Sequence, residues 1–240
     1  MLKSDMADAK KGDSFMRHNI TKKVISAMLS GVLMLSLAGC GKVAKFPETV
    51  VNTSLVVEKD GKVESYLVNT FDKDFYSLDG LTQMVQEEAE EFNAAHGDAA
   101  EPPMAVKTVQ MLGDGATVQV VQEFTDTESY ADYNEQELFY GTRVEALAEG
   151  ISVDLGLVSA ADGTPAEEQK LNKALDKNHM IITNASAYIY CPYPVLYLSE
   201  GVVMGEDGYV DASQSDGVVT ILMKKKVIQQ YKYRARKVWY

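Results

Sequence analysis

Cysteine and histidine are frequent nucleophiles, bases and zinc ligands, and this sequence has two cysteines, Cys40 and Cys191, and three histidines, His18, His96 and His179. A catalytic cysteine needs a base within hydrogen-bonding reach, and His179 is the nearest histidine to Cys191 along the chain. No motif brings this pair together, and an isolated cysteine in a β-rich run is typical of a small buried apolar residue. The chain also lacks zinc-ligand spacing, a P-loop, Gly-x-Ser-x-Gly and His-Glu-x-x-His. The sequence therefore predicts no catalytic residue, metal site or cofactor.

Cys40 lies in a different context, because it ends an apolar run that follows a basic region. Three basic residues precede the apolar residues 24–37, and Leu37-Ala38-Gly39-Cys40 closes the run. A basic region, a short apolar core and small residues at its end are the parts of a secretory signal. The last four residues resemble the lipobox of bacterial lipoprotein precursors, whose pattern is an aliphatic residue, two small residues and a cysteine.

This resemblance implies that residues 1–39 are a cleaved signal peptide. Met16 would by itself begin a signal of normal length, so translation from Met16 is the alternative start. It also implies a diacylglyceryl group on the Cys40 thiol, which would anchor the chain in the lipid bilayer at the outer face of the cell membrane. The leader and the short β–α pattern after it are similar to uncharacterised lipoproteins of Gram-positive bacteria. An ordinary cleaved signal is the alternative, whereas a transmembrane helix would need about 20 apolar residues, more than this run contains.

Charge divides the rest of the chain into two parts. Residues 41–223 contain ten basic and 32 acidic residues, a net charge of −22, which argues against a nucleic-acid partner. Such a surface keeps a protein soluble beside a negatively charged membrane and wall, and it also suits cations or basic ligands. An apolar fraction of 46% is typical of a globular domain with a real core.

The tail, residues 224–240, contains seven basic residues and no acidic one. Its apolar residues occupy one arc of a helical wheel, which predicts a basic amphipathic helix. Such a helix either packs on the acidic domain or forms a second membrane contact. In the second case the contact residues would be Lys224, Lys225, Lys226, Arg234, Arg236, Lys237 and Trp239.

Between a tether at residues 40–52 and this tail, the sequence predicts an α+β domain over residues 53–223. A mixed or mainly antiparallel sheet with two or three helices is expected, and a division into two subdomains near residue 150 is open. Turn signals at Lys59-Asp60-Gly61 and Gly113-Asp114-Gly115 predict two hairpins. Apolar spacing predicts a helix over 78–95, capped by Ser77 or Asp79.

Three further local predictions follow from turn and capping signals. Thr127 is expected to cap a short helix over 127–133, and residues 151–159 are expected to form a strand. A helix that runs to about residue 177 is predicted after Thr164, which would cap it. Pro165 would take the first helical position, and Glu167 would complete a capping box. Asn178 would then close that helix in the left-handed conformation.

A dense tyrosine cluster supplies the one surface that the sequence offers for binding. Tyr188 and Tyr190 alternate onto one strand face, and Tyr197 follows in the next strand. The pattern indicates either a sheet packed against a helix or a groove for a glycan or protein ligand. The predicted function is a non-enzymatic binding module at the cell surface, and the alternative is a wall-facing enzyme with dispersed catalytic residues. Converging carboxylates in a polar cleft would favour the enzyme, and tyrosines on an open sheet face would favour binding.

Overall fold

The computed structural model describes residues 43–96 and 101–224, which form four helices and two sheets. The helices are α1 (Leu78–Ala95), α2 (Thr127–Asn134), α3 (Arg143–Ala148) and α4 (Glu168–Leu175). The predicted α+β class with mixed or mainly antiparallel sheets is confirmed, and the described residues contain four helices rather than two or three. Cys40 and the tail from residue 225 onward lie outside the described residues, so the predictions made for them stay predictions.

Twelve strands make up the two sheets of the described residues. They are β1 (Ser54–Val57), β2 (Val63–Thr70), β3 (Met104–Met111), β4 (Thr117–Phe124), β5 (Leu138–Thr142), β6 (Leu157–Ser159), β7 (His179–Thr183), β8 (Tyr188–Tyr190), β9 (Val195–Ser199), β10 (Val203–Met204), β11 (Val210–Asp211) and β12 (Val219–Met223). The seven-stranded sheet has the order β10-β11-β8-β1-β2-β4-β3, and the five-stranded sheet has the order β5-β7-β12-β9-β6. All neighbouring strands in these sheets are antiparallel except β1 and β8, which run parallel.

Both predicted hairpins are confirmed. Between β1 and β2, Gly61 has a φ of 96°, and the N–H of Glu58 donates to the carbonyl oxygen of Lys62 at 2.8 Å. Between β3 and β4, the carboxylate of Asp114 accepts from the N–H of Thr117 at 2.9 Å. Glycine tolerates positive φ without a Cβ penalty, which is why the turn sequences alone identify these hairpins.

One face of the seven-stranded sheet carries the main core of the domain. Leu55, Phe124 and Ile189 on this inner face are almost fully buried. They share one apolar cluster with Ile181 and Ile221 of the five-stranded sheet, and that cluster also includes Ala89 of α1. The inner face is therefore covered partly by α1 and partly by the second sheet, and residues from both sides of position 150 contribute to the same core.

The remaining face of the five-stranded sheet packs against the two C-terminal helices. Met180 and Leu222 on this face are fully buried beside Ala146 of α3 and Leu171 and Leu175 of α4. Only the outer face of the seven-stranded sheet lacks a covering helix among the described residues.

The helix starts show which capping signals the chain uses. Of the two predicted caps of α1, Ser77 and Asp79, the structure uses Ser77, whose Oγ accepts from the N–H of Gly80 at 3.2 Å. The prediction that Thr127 caps α2 is wrong, because Asp126 occupies that position and its Oδ1 accepts from the N–H of Ser129 at 2.8 Å. A carboxylate competes well for this position because it is a stronger acceptor beside the positive end of the helix.

The predictions around residues 151–178 need three corrections. The strand covers only 157–159 of the predicted 151–159. Helix α4 begins at Glu168 without a side-chain cap, because Pro165 pairs with Val158 in an isolated β-bridge instead of opening the helix. Asn178 does not close α4 in the left-handed conformation, because the helix ends at Leu175. The side-chain Nδ2 of Asn178 donates to the carbonyl oxygen of Ala174 at 2.8 Å.

The capping geometry of α2 makes a direct prediction about stability. Asp126→Ala should lower the free energy of unfolding by about 1 kcal/mol, since it removes the acceptor for the Ser129 N–H. Thr127→Ala is the matched control and should cost clearly less, because the Thr127 side chain is not the cap. Urea unfolding of both variants measures the difference, and a larger loss for Thr127→Ala would contradict the assignment.

Candidate functional site: the aromatic strip on the open sheet face

Strand register places three tyrosines on the outer face of the seven-stranded sheet. Ser54 of β1 pairs with Tyr66 of β2 on one side and with Tyr188 of β8 on the other. Residues at the same level of a sheet point to the same face, so both tyrosines point outward. Tyr190 lies two positions after Tyr188 and therefore shares that face, whereas Ile189 between them is fully buried in the core.

Two further rings complete a continuous row that we call the aromatic strip: Phe46, Tyr66, Tyr188, Tyr190 and Tyr209. Tyr188 and Tyr209 stack with their centroids 4.6 Å apart and their planes at 17°. Phe46 lies 4.9 Å from Tyr66 and 4.8 Å from Tyr190 between ring centroids, and Tyr190 lies 5.6 Å from Tyr209. Contacts of this kind add about 0.5–1.5 kcal/mol each beyond the area they bury.

Part of the predicted tether packs on this strip. The N–H of Lys45 donates to the carbonyl oxygen of Asp207 at 3.1 Å, at the turn between β10 and β11. Phe46 then inserts between two rings of the strip, and Val50, only 5% exposed, packs in the same apolar cluster as Tyr66 and Val121. We call residues 43–52 the N-terminal strap, because they cross the open sheet face from the β10–β11 turn to its centre.

The strap leaves one part of the strip accessible. Tyr66 and Tyr190 are buried, at 5% and 6% exposure, whereas Tyr188 and Tyr209 are half-buried. Phe46 of the strap is half-buried as well, so the accessible tyrosines of the strip are the stacked pair Tyr188–Tyr209. Tyr197, the third tyrosine predicted for a binding surface, lies in β9 of the other sheet and packs on the cluster beneath α4.

The structure thus brings Tyr188 and Tyr190 together and places Tyr197 elsewhere. Sequence reasoning missed Phe46 and Tyr209 as members of the strip. Tyr209 precedes a strand of only two residues, which is too short for an alternation signal. Phe46 lies in a segment without regular secondary structure, where no periodic pattern indicates which side chains pack.

Carboxylates of β2, β4 and the turn after β1 lie near the Tyr66 end of the strip. The hydroxyl of Tyr66 donates to Glu64 Oε2 at 2.8 Å, and burial together with this neighbouring carboxylate raises the pKa of Tyr66. Burial, followed by the nearby charges of Asp60, Glu64 and Glu123, raises the pKa of Glu58. Burial is the larger cause of both shifts, and the contributions of the neighbouring carboxylates indicate a local negative potential that would favour cations.

The same potential extends to the accessible end of the strip. Burial raises the pKa of Tyr190 to about 12, with Tyr209 and Asp207 contributing further. Burial also raises the pKa of Tyr209, and the next contributions come from Tyr188, Asp211 and Asp207. Burial therefore holds the hydroxyl of Tyr209 protonated, and the stacked pair lies beside the carboxylates of Asp207 and Asp211.

The surroundings of Cys191 disfavour the thiolate, which is the nucleophilic form of cysteine. The side chain is buried, and burial raises the pKa of its thiol to about 12, so the reactive thiolate is a negligible fraction at neutral pH. His179, the base that the sequence could pair with it, lies with its ring 5.4 Å from that of Tyr140 and 6.1 Å from that of Tyr193. The expected role of Cys191 as a small buried residue agrees with this environment.

Neither a metal centre nor a membrane span is found within residues 43–96 and 101–224. No group of three or more histidine, cysteine, aspartate or glutamate side chains there could hold a metal ion. No helix in these segments combines the length and the apolar character that crossing a bilayer requires.

No family model, curated protein or solved structure matches the chain.

The environment of Cys191 predicts a low reactivity of its thiol. In a Cys40→Ser variant, where Cys191 is the one remaining cysteine, iodoacetamide at pH 8 should modify the folded protein at least about 100-fold more slowly than the unfolded protein. The unfolded chain loses the burial that holds the thiol neutral, so guanidinium should restore rapid alkylation. Mass spectrometry measures both rates, and equal rates would show that Cys191 is accessible.

Proposed function

We propose that this protein is a lipid-anchored binding module at the outer face of the cell membrane. The stacked Tyr188–Tyr209 pair on the open sheet face carries the binding part of the proposal, because it combines accessible aromatic area with a position beside carboxylates. Leu37-Ala38-Gly39-Cys40, with its lipobox pattern, supports the anchored part. A diacylglyceryl group supplies two acyl chains, and two chains give stable membrane attachment where one gives only marginal attachment.

The chemistry around the pair favours a basic ligand, namely a lysine- or arginine-rich segment of a partner protein. Aromatic rings attract ammonium and guanidinium groups by about 0.5–1 kcal/mol at exposed sites. Asp207 and Asp211 lie close enough to raise the pKa of Tyr209, so a cation bound on the pair would meet both rings and carboxylates. The net charge of −22 over residues 41–223 would add long-range attraction for such a partner. A glycan ligand remains an outcome of the binding test.

The residues that could act in catalysis do not support the alternative of a wall-facing enzyme. The thiol of Cys191 is held protonated by burial. The carboxyl of Glu58, whose pKa is raised first by burial, lies beside the further acids Asp60, Glu64 and Glu123. An open face with accessible tyrosines is the arrangement that favours binding over catalysis.

Lipid attachment at Cys40 is tested by metabolic labelling in a bacterial host. Radiolabelled palmitate should enter the wild-type protein, and Cys40→Ser should abolish incorporation because the acceptor thiol is lost. Cys191→Ser is the matched control and should label like the wild type, since the thiol of Cys191 is buried. Palmitate incorporation that survives Cys40→Ser would refute the anchor.

The binding surface is tested with fluorescein-labelled oligolysine as the probe. The double variant Tyr188→Ala/Tyr209→Ala should weaken binding about fivefold, since it removes two ring contacts worth roughly 0.5 kcal/mol each. Fluorescence anisotropy at low and physiological salt measures the affinity, and added salt should reduce the binding of every variant.

Tyr197→Ala is the matched control for this experiment, because Tyr197 belongs to the other sheet. Its affinity for the probe should equal that of the wild type. Equal losses in the control and the double variant would place the ligand elsewhere. Binding of isolated wall glycan without binding of oligolysine would show that the ligand is a carbohydrate and would contradict the basic-ligand part of the proposal.

A further inference from the structure

The path of the N-terminal strap fixes where the chain leaves the domain toward Cys40. Lys45 is hydrogen-bonded to Asp207, and the Cα of Ala44 lies 3.4 Å from the position that a Cβ on Gly208 would occupy. Residues 44 and 45 therefore rest on the turn between β10 and β11. Gly208 has a φ of 86°, so this turn needs a glycine for its conformation, and the absence of a side chain also gives Ala44 its close approach.

The strap shortens the effective tether of the proposed anchor. Thirteen free residues from 40 to 52 would span up to about 45 Å and would permit almost any orientation of the domain. Phe46 is inserted between Tyr66 and Tyr190, so the tether that remains runs from Cys40 to Ala44. Its four consecutive Cα–Cα distances span at most about 14 Å. A tether of that length cannot reach around a domain whose sheet alone is about 29 Å wide over its seven strands.

We propose that the β10–β11 edge of the seven-stranded sheet faces the lipid bilayer. This inference rests on the proposed lipid anchor at Cys40. It places the turn with Glu206 and Asp207 next to the headgroups and the opposite edge strand, β3, away from them. Both acids on the turn are exposed, so anionic lipids repel them within a Debye length of about 8 Å, and the edge faces the bilayer without inserting into it.

This orientation has a consequence for the binding surface. Tyr209 directly follows Gly208, so the stacked Tyr188–Tyr209 pair lies at the membrane-facing end of the aromatic strip. A ligand that reaches this pair therefore does so close to the bilayer surface. The basic segment proposed as the ligand would belong to a partner whose lysines or arginines lie near the membrane.

Fluorescence quenching on vesicles tests the orientation with the full, acylated chain. Glu206→Cys marks the β10–β11 turn and Lys107→Cys marks β3, and both positions are exposed and carry charged side chains. Each variant is labelled with the same thiol-reactive fluorophore. The dye reacts at the introduced cysteine, because Cys40 is acylated and Cys191 is buried. The vesicles contain phosphatidylcholine, phosphatidylglycerol and a lipid with a spin-labelled headgroup. Since five strand spacings, about 24 Å, separate β11 from β3, quenching at 206 should exceed quenching at 107 by about threefold.

A lengthened tether is the second variant. Inserting about twelve glycine and serine residues between Gly41 and Lys42 adds roughly 19 Å of flexible reach and should bring the two quenching values together. Equal quenching at 206 and 107 with the natural tether would overturn the orientation. A difference that the insertion leaves unchanged would also overturn it, because the orientation would then not come from the tether.

The mass of the N-terminal peptide and flotation with vesicles separate this inference from the anchor on which it rests. A protein that is not acylated and does not float would refute both proposals. A protein that is acylated and floats, yet shows equal quenching, would refute the orientation and leave the anchor in place.

Discussion

The parallel pairing of β1 with β8 is the interaction on which the rest of the architecture depends. Ser54, Leu55 and Val56 lie opposite Tyr188, Ile189 and Tyr190, although more than a hundred residues separate the two strands in the chain. This pairing joins the N-terminal hairpins to the C-terminal half in one sheet. It also sets which residues of β8 face the core and which face outward, because a shift by one residue would exchange the two faces.

Because of that register, the two faces of the seven-stranded sheet carry different residues and are covered by different elements. The inner face is buried by α1 and by the five-stranded sheet, so it carries leucine, valine, isoleucine and phenylalanine. The outer face has the strap as its cover among the described residues, and it keeps tyrosines, whose rings are apolar and whose hydroxyls remain near polar groups such as Glu64. A half-covered aromatic face beside carboxylates is well suited to binding, and the same strap that covers it determines how short the link to Cys40 is.

Elements with strong local signals could be predicted from the sequence, and elements that depend on distant partners could not. Helix α1 was predictable with its bounds and with Ser77 among its possible caps, because apolar spacing and capping act within a few residues. Helix α4 was misplaced because Pro165 pairs with Val158, a contact that competes with a favourable local start. The binding surface was only half predicted, since Tyr188 and Tyr190 share a strand whereas Phe46 and Tyr209 reach them through tertiary packing.

By itself, the sequence determined the α+β class, the two hairpins, the acidic character of the domain and the unreactive setting of Cys191, because composition, turn residues and local periodicity carry that information. It also contains Leu37-Ala38-Gly39-Cys40, whose similarity to a lipobox underlies the proposed anchor. Only the tertiary structure decided that Tyr197 is separated from Tyr188 and Tyr190, that Tyr209 stacks on Tyr188, and that the predicted tether is partly packed. The physical reason is that these features arise from long-range strand pairing and from one ring meeting another, and neither leaves a local pattern in the chain.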